Sequence, residues 1–366
     1  MSRSKILFVK HYKATAKFIN NDAEILREKY DVEIYKSYVT KNIFTLFSLL
    51  KQSVFLLVNI KKYSLIYIWF ADYHAFLPIL FGKIFKKKSV IAVGGYDATD
   101  IPEIECGVFS EKNFLKRIRR FAAQYSFKHC NKIFVVDDSL IENENTYIYS
   151  DIPNSKPLKD GILNFIPEVK NKMEVVYFGF DKTFFKRDEN SKKENFVLSV
   201  GYSDNDNEFK RKGFDELVKV SKVLKNVNFV IIGLNSDQLD RLNKLELTNV
   251  KFLPPAKLED LMNYFDKAKV FVQLSLFEGQ PNTLVESMMY ECIPVGSDVN
   301  GIPRVIGDTG FIVYKKDINE IAEKILLALS APEDLGKAAR ERVIKNYPIE
   351  KRREKILNIV SELLNS

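Results

Sequence analysis

The sequence predicts an α/β protein built from two doubly wound domains that face each other across a cleft. Three observations predict it. Short apolar runs recur along the 366 residues and alternate with segments of helical periodicity. The runs are continuously apolar, as in parallel strands covered on both faces. The alternation is interrupted by residues 186–195, a charged stretch without an apolar residue, and then restarts.

In order, residues 6–9 are a buried-strand run, 14–30 have helical periodicity, and 32–35 return to a strand. Residues 43–60 form a long and very apolar helix candidate. A strand at 65–70, a helix at 73–85 and a strand at 89–93 follow. Then come a basic helix at 112–128 and a strand at 132–136. Residues 139–173 are less regular, with Asn, Pro and Lys scattered through them, and 174–177 read as one more strand. After the charged stretch the strands fall at 196–200, 228–232, 250–253, 270–273 and 292–295. Helices fall between them at 214–224, 237–245, 258–268 and 283–291, and fill the chain from 318 onward. The expected division is a first domain over 1–187, a second over 188–347, and a last helix, 348–366, packing back toward the first. Ligands of such sheets bind at the carboxyl ends of the strands, which here line the expected cleft.

Composition narrows the function. Hydrophobic content of 46% supports real cores. The formal charge of +8 is confined to residues 1–180, which hold 27 Lys and Arg against 19 Asp and Glu, while the remainder balances at 29 each. The first half therefore suits an anionic partner: a membrane surface, a phosphorylated acceptor or nucleic acid. No recognised nucleic-acid motif accompanies the charge, so that partner is not expected. Three dispersed cysteines, Cys106, Cys130 and Cys292, argue against a disulfide framework or a zinc site and fit a reducing compartment. The N-terminal apolar stretch is too short for a signal peptide. Residues 63–82 are the best spanning candidate, but Asp72 and His74 interrupt them and their first part reads as a strand.

The most informative stretch is Ser275 to Glu286, SLFEGQPNTLVE, a strand-to-helix turn. Gly279 lets backbone approach a ligand, and Pro281 and Asn282 suit a helix entrance with its outward N–H groups. Such an N-terminus attracts phosphate, and Glu278 and Glu286 can accept hydrogen bonds from sugar hydroxyls. Amides for phosphate and carboxylates for hydroxyls together suggest a nucleotide-sugar.

These residues resemble a known family. EGQPNTLVE is similar to the E-x7-E donor motif of retaining glycosyltransferases of the GT-B fold, most closely glycosyltransferase family 4. The stretch IPVGSDVNGIPRVIGDTGFIV, Lys212-Gly213 and Phe178-Gly179-Phe180-Asp181 resemble further segments of that family, and Gly94-Gly95-Tyr96-Asp97 sits where many members have a His-Gly-Ser-Asp turn. The likeness is strong over 196–347 and loose over 1–180.

The resemblance implies two Rossmann-like domains in the GT-B arrangement and a retaining, metal-independent hexosyltransferase. Glu278 would contact the transferred sugar, and Lys212 would neutralise the diphosphate as the bond breaks, with Asp97 as a further catalytic position. Glu286 would hold the ribose. Arg211, Gly279, Gln280, Asn282, Thr283 and Leu284 would complete the donor site, those from Gly279 to Leu284 through backbone. The donor would be a UDP- or GDP-sugar, with no cofactor and no metal. The acceptor would be a glycan or glycolipid on a pathway of polysaccharide biosynthesis.

The chain departs from the family at Tyr202, where many members have Arg, and in lacking the histidine before Asp97. Lys210 or Arg211 could supply the missing cation, and His74 or Asp97 part of the histidine's role. A nucleotide-sugar epimerase or hydrolase, or a sugar-nucleotide binding protein without catalysis, are the alternatives. Asp204-Asn205-Asp206 imitates a DxD metal motif but reads as a polar loop, and His11 and His129 read as structural or surface residues. In the basic helix, Lys116, Arg117, Arg119 and Arg120 interleave with apolar residues. They are expected to contact the acceptor or an anionic membrane, making the protein peripheral on the cytoplasmic face and released by salt rather than detergent.

Overall fold

The computed structural model describes residues 3–38, 44–188 and 191–366. It forms two compact units, one of residues 1–143, 160–179 and 349–366, the other of 144–159 and 180–348. Each carries a six-stranded parallel sheet.

The first unit begins with β1 (Lys5–His11), α1 (Lys17–Arg27), β2 (Asp31–Ser37) and α2 (Phe44–Asn59). It continues with β3 (Leu65–Trp69), α3 (Tyr73–Ile84) and β4 (Lys88–Val93), then α4 (Phe114–His129), β5 (Lys132–Val135) and β6 (Met173–Val175). Sheet order is β6-β5-β4-β3-β1-β2, so the winding reverses between β1 and β3. Residues 6–9 and 65–69 are fully buried, as continuous apolar runs require. Ile43, at the start of the expected helix 43–60, lies outside the described residues. The spanning candidate at 63–82 is divided between β3 and α3. Among the described residues no helix is long and apolar enough to cross a membrane.

The last helix, Ile349–Asn365, belongs to this first unit. Arg352 anchors it, donating to both oxygens of buried Asp22 at 2.7 and 2.8 Å. The Tyr67 hydroxyl at 2.8 Å and Trp69 Nε1 at 3.0 Å also donate to Asp22. Further Arg352 bonds reach the carbonyls of Val176 and Tyr177 at 2.6 and 2.9 Å, so the guanidinium is nearly fully partnered.

The second unit opens with β7 (Glu194–Ser203), α5 (Asp206–Arg211), α6 (Phe214–Val223), β8 (Asn228–Leu234) and α7 (Ser236–Asn243). Then follow β9 (Val250–Leu253), α8 (Leu258–Lys267), β10 (Ala268–Gln273), α9 (Asn282–Met289) and β11 (Ile293–Ser297). It closes with α10 (Ile302–Ile306), β12 (Phe311–Val313), α11 (Ile318–Ser330) and α12 (Glu333–Asn346). Sheet order is β9-β8-β7-β10-β11-β12, reversing between β7 and β10. Two local expectations change. The polar loop read at Asp204-Asn205-Asp206 runs into α5, whose first turn is capped by the Asn205 side chain accepting from the Glu208 amide at 3.0 Å. In the charged stretch 186–195, residues 189–190 lie outside the described residues, but the flanks are tied to the second unit. Arg187 pairs with Glu291 at 2.6 Å, and Lys193 donates to the Tyr290 and Phe265 carbonyls at 2.5 and 2.9 Å.

Candidate active site

Strands β7 and β10 are neighbours at the reversal of the second sheet, the position where doubly wound sheets bind ligands. The chain leaving β7 runs through α5 to Lys212 and Gly213. The chain leaving β10 runs through Glu278 into α9. Gly213 joins the two paths: its φ is +68°, and a Cβ there would lie 2.1 Å from the Leu274 carbonyl oxygen. Only glycine lets the turn rest on the end of β10. The Leu276 amide donates to the Arg211 carbonyl at 2.8 Å, closing the contact.

This packing puts Lys212 Nζ 2.6 Å from Glu278 Oε1. The same oxygen accepts from Ser275 Oγ at 2.9 Å and Gln273 Nε2 at 3.1 Å, with Arg211 Nη1 at 3.6 Å. The Lys212 and Glu278 side chains are only 14% and 13% exposed. Burial alone would raise the Glu278 carboxyl, but the charges of Lys212 and Arg211 and the bonds from Lys212 and Ser275 hold it below the usual carboxylate range. Burial lowers the Lys212 ammonium, against the Glu278 charge that raises it. Arg211 is braced by Glu208 at 2.7 and 2.9 Å and reaches the Phe277 carbonyl at 3.3 Å.

Helix α9 begins at Asn282 beside this cluster in sequence. Its first-turn amides have no acceptor within the helix, which suits an anion. Gly279, Gln280 and Leu284 are buried, whereas Asn282, Thr283 and Glu286 are partly exposed. With its side chain in the core, Leu284 has only backbone to offer a ligand. Two buried side-chain oxygens, Gln273 Oε1 and Asn282 Oδ1, accept no hydrogen bond among the described residues. Unused acceptors suit hydroxyl donors such as those of a sugar.

Sequence reasoning missed the supporting shell. Gln273 and Ser275 were legible as polar residues at the end of a buried strand. Asn300 was not: its Oδ1 accepts from the Glu278 amide at 3.2 Å across 22 residues, from a backbone with φ +45°. Tyr202, at the position of the expected arginine, is 65% exposed. In the DxD-like segment, Asp206 pairs with Arg241 at 2.8 Å, and Asp204 accepts from Asn205 at 2.7 Å. Among the described residues no group of three His, Cys, Asp or Glu could hold a metal.

The remaining predicted residues lie in the first unit. Asp97 is fully buried and accepts from the amides of Ala71, Gly94 and Gly95 at 3.0, 3.1 and 3.1 Å. It clamps the turn after β4 to the turn after β3. Burial pushes its carboxyl up to about 6, against the amide bonds that lower it. His74 is buried, its Nε2 2.9 Å from the Trp69 carbonyl, and burial lowers its pKa. Arg119 does not face outward as expected. It binds Asp72 through two nitrogens at 2.9 and 2.7 Å and reaches the Gly107 carbonyl at 3.1 Å, with a side chain 16% exposed. Arg120 pairs with Glu111, Arg117 donates to the Glu111 carbonyl at 3.2 Å, and Lys116 lies 3.7 Å from Glu105. The structure thus brings Glu278, Lys212 and Arg211 together, while Arg119 serves an internal ion pair.

Comparison with known proteins agrees with this architecture. The family described as glycosyl transferases group 1 matches residues 181–346. A trehalose synthase from Pyrococcus horikoshii is 40% identical over 108 residues, which is 28% of this chain and 26% of the relative. The GalNAc-alpha-(1->4)-GalNAc-alpha-(1->3)-diNAcBac-PP-undecaprenol alpha-1,4-N-acetyl-D-galactosaminyltransferase of Campylobacter jejuni is 25% identical over 299 residues, 77% of each chain. Among solved structures, a sucrose-phosphate synthase from Thermosynechococcus elongatus superposes with a TM-score of 0.73 at 17% identity, covering 99% of this chain and 100% of that one. At that identity the likeness speaks for the fold. Residues 181–346 are similar to glycosyl transferases group 1, and the fold of the chain is GT-B.

Proposed function

We propose that the protein is a retaining, metal-independent transferase that moves a hexose or related sugar from a UDP- or GDP-sugar to a lipid-linked or cell-surface glycan acceptor. One observation carries the reading: the Lys212–Glu278 pair at 2.6 Å, buried at the reversal of the second sheet beside the start of α9. The chemistry follows from what each group can accept or donate. Lys212 and the α9 amides take up the charge that grows on the diphosphate as the sugar–oxygen bond breaks, with Arg211 as a second cation. Glu278, released from Lys212 by the arriving diphosphate, accepts from sugar hydroxyls, as do Gln273 Oε1 and Asn282 Oδ1. Glu286 holds the ribose. Asp97 and Asp72 position turns of the first unit.

The acceptor assignment draws on the Campylobacter relative, whose name places its acceptor on diphospho-undecaprenol. A lipid-linked acceptor would place the protein peripherally on the cytoplasmic face of the membrane.

The test is donor turnover across a panel of nucleotide-sugars, with and without a polyprenyl-diphosphate glycan, reading nucleotide release and the anomeric configuration of the product. Acceptor-dependent release with retained configuration is expected. Release without acceptor would make the protein a hydrolase, and conversion of the donor into an epimeric nucleotide-sugar would make it an epimerase. Binding without release would make it a sugar-nucleotide binding protein.

A further inference from the structure

Helix α2 is apolar on both faces yet lies at the surface. Its inner side packs normally: Gln52 and Leu56 are buried, and Gln52 Nε2 donates to the His74 carbonyl at 3.1 Å. Its outer side repeats Leu46, Phe47, Leu50, Val54, Leu57 and Val58 at helical spacing, each between 53% and 78% exposed. A helix apolar all round belongs in a protein core or in lipid. At 16 residues it is about 24 Å long, short of the roughly 20 residues needed to span a bilayer. It can lie in the plane of an interface instead.

Helix α4 extends the same surface. Helix α3 packs against both α2 and α4. The Tyr73 hydroxyl donates to the Leu115 carbonyl at 2.6 Å, and the Phe76 and Phe121 rings stand 5.9 Å apart. The apolar stripe of α4 is turned outward, with Phe114, Leu115, Ile118 and Phe121 between 40% and 74% exposed. Its buried side is small instead, formed by Ala122, Ala123 and Ser126 together with Phe127.

Charge identifies what covers this face. None of α2, α3 and α4 contains an Asp or Glu, while they carry Lys51, Lys83, Lys116, Arg117, Arg120 and Lys128. Neighbouring segments bring Glu111, Glu105 and Glu168 to Arg120, Lys116 and Lys128. The helices themselves offer bases alone, and the first 180 residues keep an excess of positive charge. This apolar face rimmed by bases therefore matches acyl chains beneath anionic headgroups. A second copy would set like charge against like charge.

We propose that the outer faces of α2 and α4 dock in the plane of an anionic lipid bilayer, with the apolar stripe of α2 seated among the acyl chains. The proposal deepens the lipid-linked acceptor reading and rests on it only for the purpose of docking. It also replaces attachment by charge alone, because Arg119 is held by Asp72 and the apolar residues point outward.

The full chain is floated with phosphatidylglycerol–phosphatidylcholine vesicles and with phosphatidylcholine vesicles, at low and molar salt, beside the double variant Leu50→Glu/Leu57→Glu. The parent should float with the anionic vesicles, and molar salt should weaken binding without abolishing it. The variant should bind roughly tenfold more weakly or worse, with its melting temperature and nucleotide affinity unchanged. Failure of the parent to float, or equal flotation of the variant, overturns the proposal. So does a lipid-free dimer of the parent that the variant converts to monomer, since a second copy would then cover the face. Flotation is read without substrate, so loss of transfer to a soluble acceptor would refute the transferase reading and leave this one standing.

Discussion

Lys212→Met tests the centre of the site directly. The Lys212 stem lies against Gly201, where a Cβ would approach Lys212 Cδ to 3.0 Å, so methionine preserves the packing and removes only the charge. Breaking a buried pair by removing one partner costs about 3–5 kcal/mol. Here Glu278 keeps Arg211 at 3.6 Å, Ser275 at 2.9 Å and Gln273 at 3.1 Å, so the stability loss should be about 2 kcal/mol. Turnover should fall much further. Losing one preorganised group at a developing charge costs about 10²–10³-fold in kcat, or roughly 3–4 kcal/mol of transition-state stabilisation.

The same substitution belongs in a double-mutant cycle with Glu278→Gln. Each single variant leaves a buried charge without its main partner, whereas the double variant leaves none. The double loss, read by urea unfolding at neutral pH, should fall short of the sum by about 1–3 kcal/mol. A folded Lys212→Met protein that turns over donor within about threefold of the parent would refute leaving-group stabilisation by this residue. Additive losses in the cycle would refute the pair as an energetic unit.

Three further outcomes are expected. Glu286→Ala should weaken nucleotide binding by roughly tenfold or more, because ribose hydroxyls lose an acceptor worth about 1–3 kcal/mol, and calorimetry showing unchanged affinity in a folded variant would remove Glu286 from the site. Turnover should survive EDTA, and a strict requirement for Mg²⁺ or Mn²⁺ would return Asp204 and Asp206 to consideration despite the Asp206–Arg241 pair. Burial raises and Arg119 more than offsets the Asp72 carboxyl, so its stabilisation is present above the ordinary carboxylate range and lost as pH falls through the depressed value. Arg119→Met should therefore cost on the order of 3 kcal/mol at neutral pH and less near pH 3, where unpaired Asp72 is protonated, and an equal deficit at both pH values would count against the pair.

What was legible in the sequence was whatever depended on short-range pattern. The strands announced themselves because both faces are covered, which makes their runs continuously apolar. The turn from Ser275 to Glu286 was legible because its residues act within a few positions of one another. Helix α5 was not, since DNEFKR offers one buried apolar residue, Phe209, and a cap from Asn205. The Asp72–Arg119 pair spans 47 residues and the Asn300–Glu278 bond 22, separations at which local pattern is silent. The orientation of α4 was misleading for a different reason. Its apolar residues are spaced for a core, but the buried side is formed by Ala122, Ala123, Ser126 and Phe127, and most of the larger side chains lie out.

The arrangement at the second sheet's reversal explains why a lysine can serve in so enclosed a place. Burial alone drives an ammonium toward neutrality, and Lys212 shows that pull. Glu278 opposes it, and is itself kept ionised by Lys212, Arg211 and two neutral donors. In the proposed reaction the diphosphate takes the place of Glu278 as the counter-charge of Lys212. The carboxylate then turns to hydroxyl donors, so neither group is left buried and unpaired. Substrate binding on this account exchanges one ion pair for another rather than creating charge in a low-dielectric site. The Glu278→Gln corner of the cycle exposes that logic, because it leaves the cation to face burial without the carboxylate it touches.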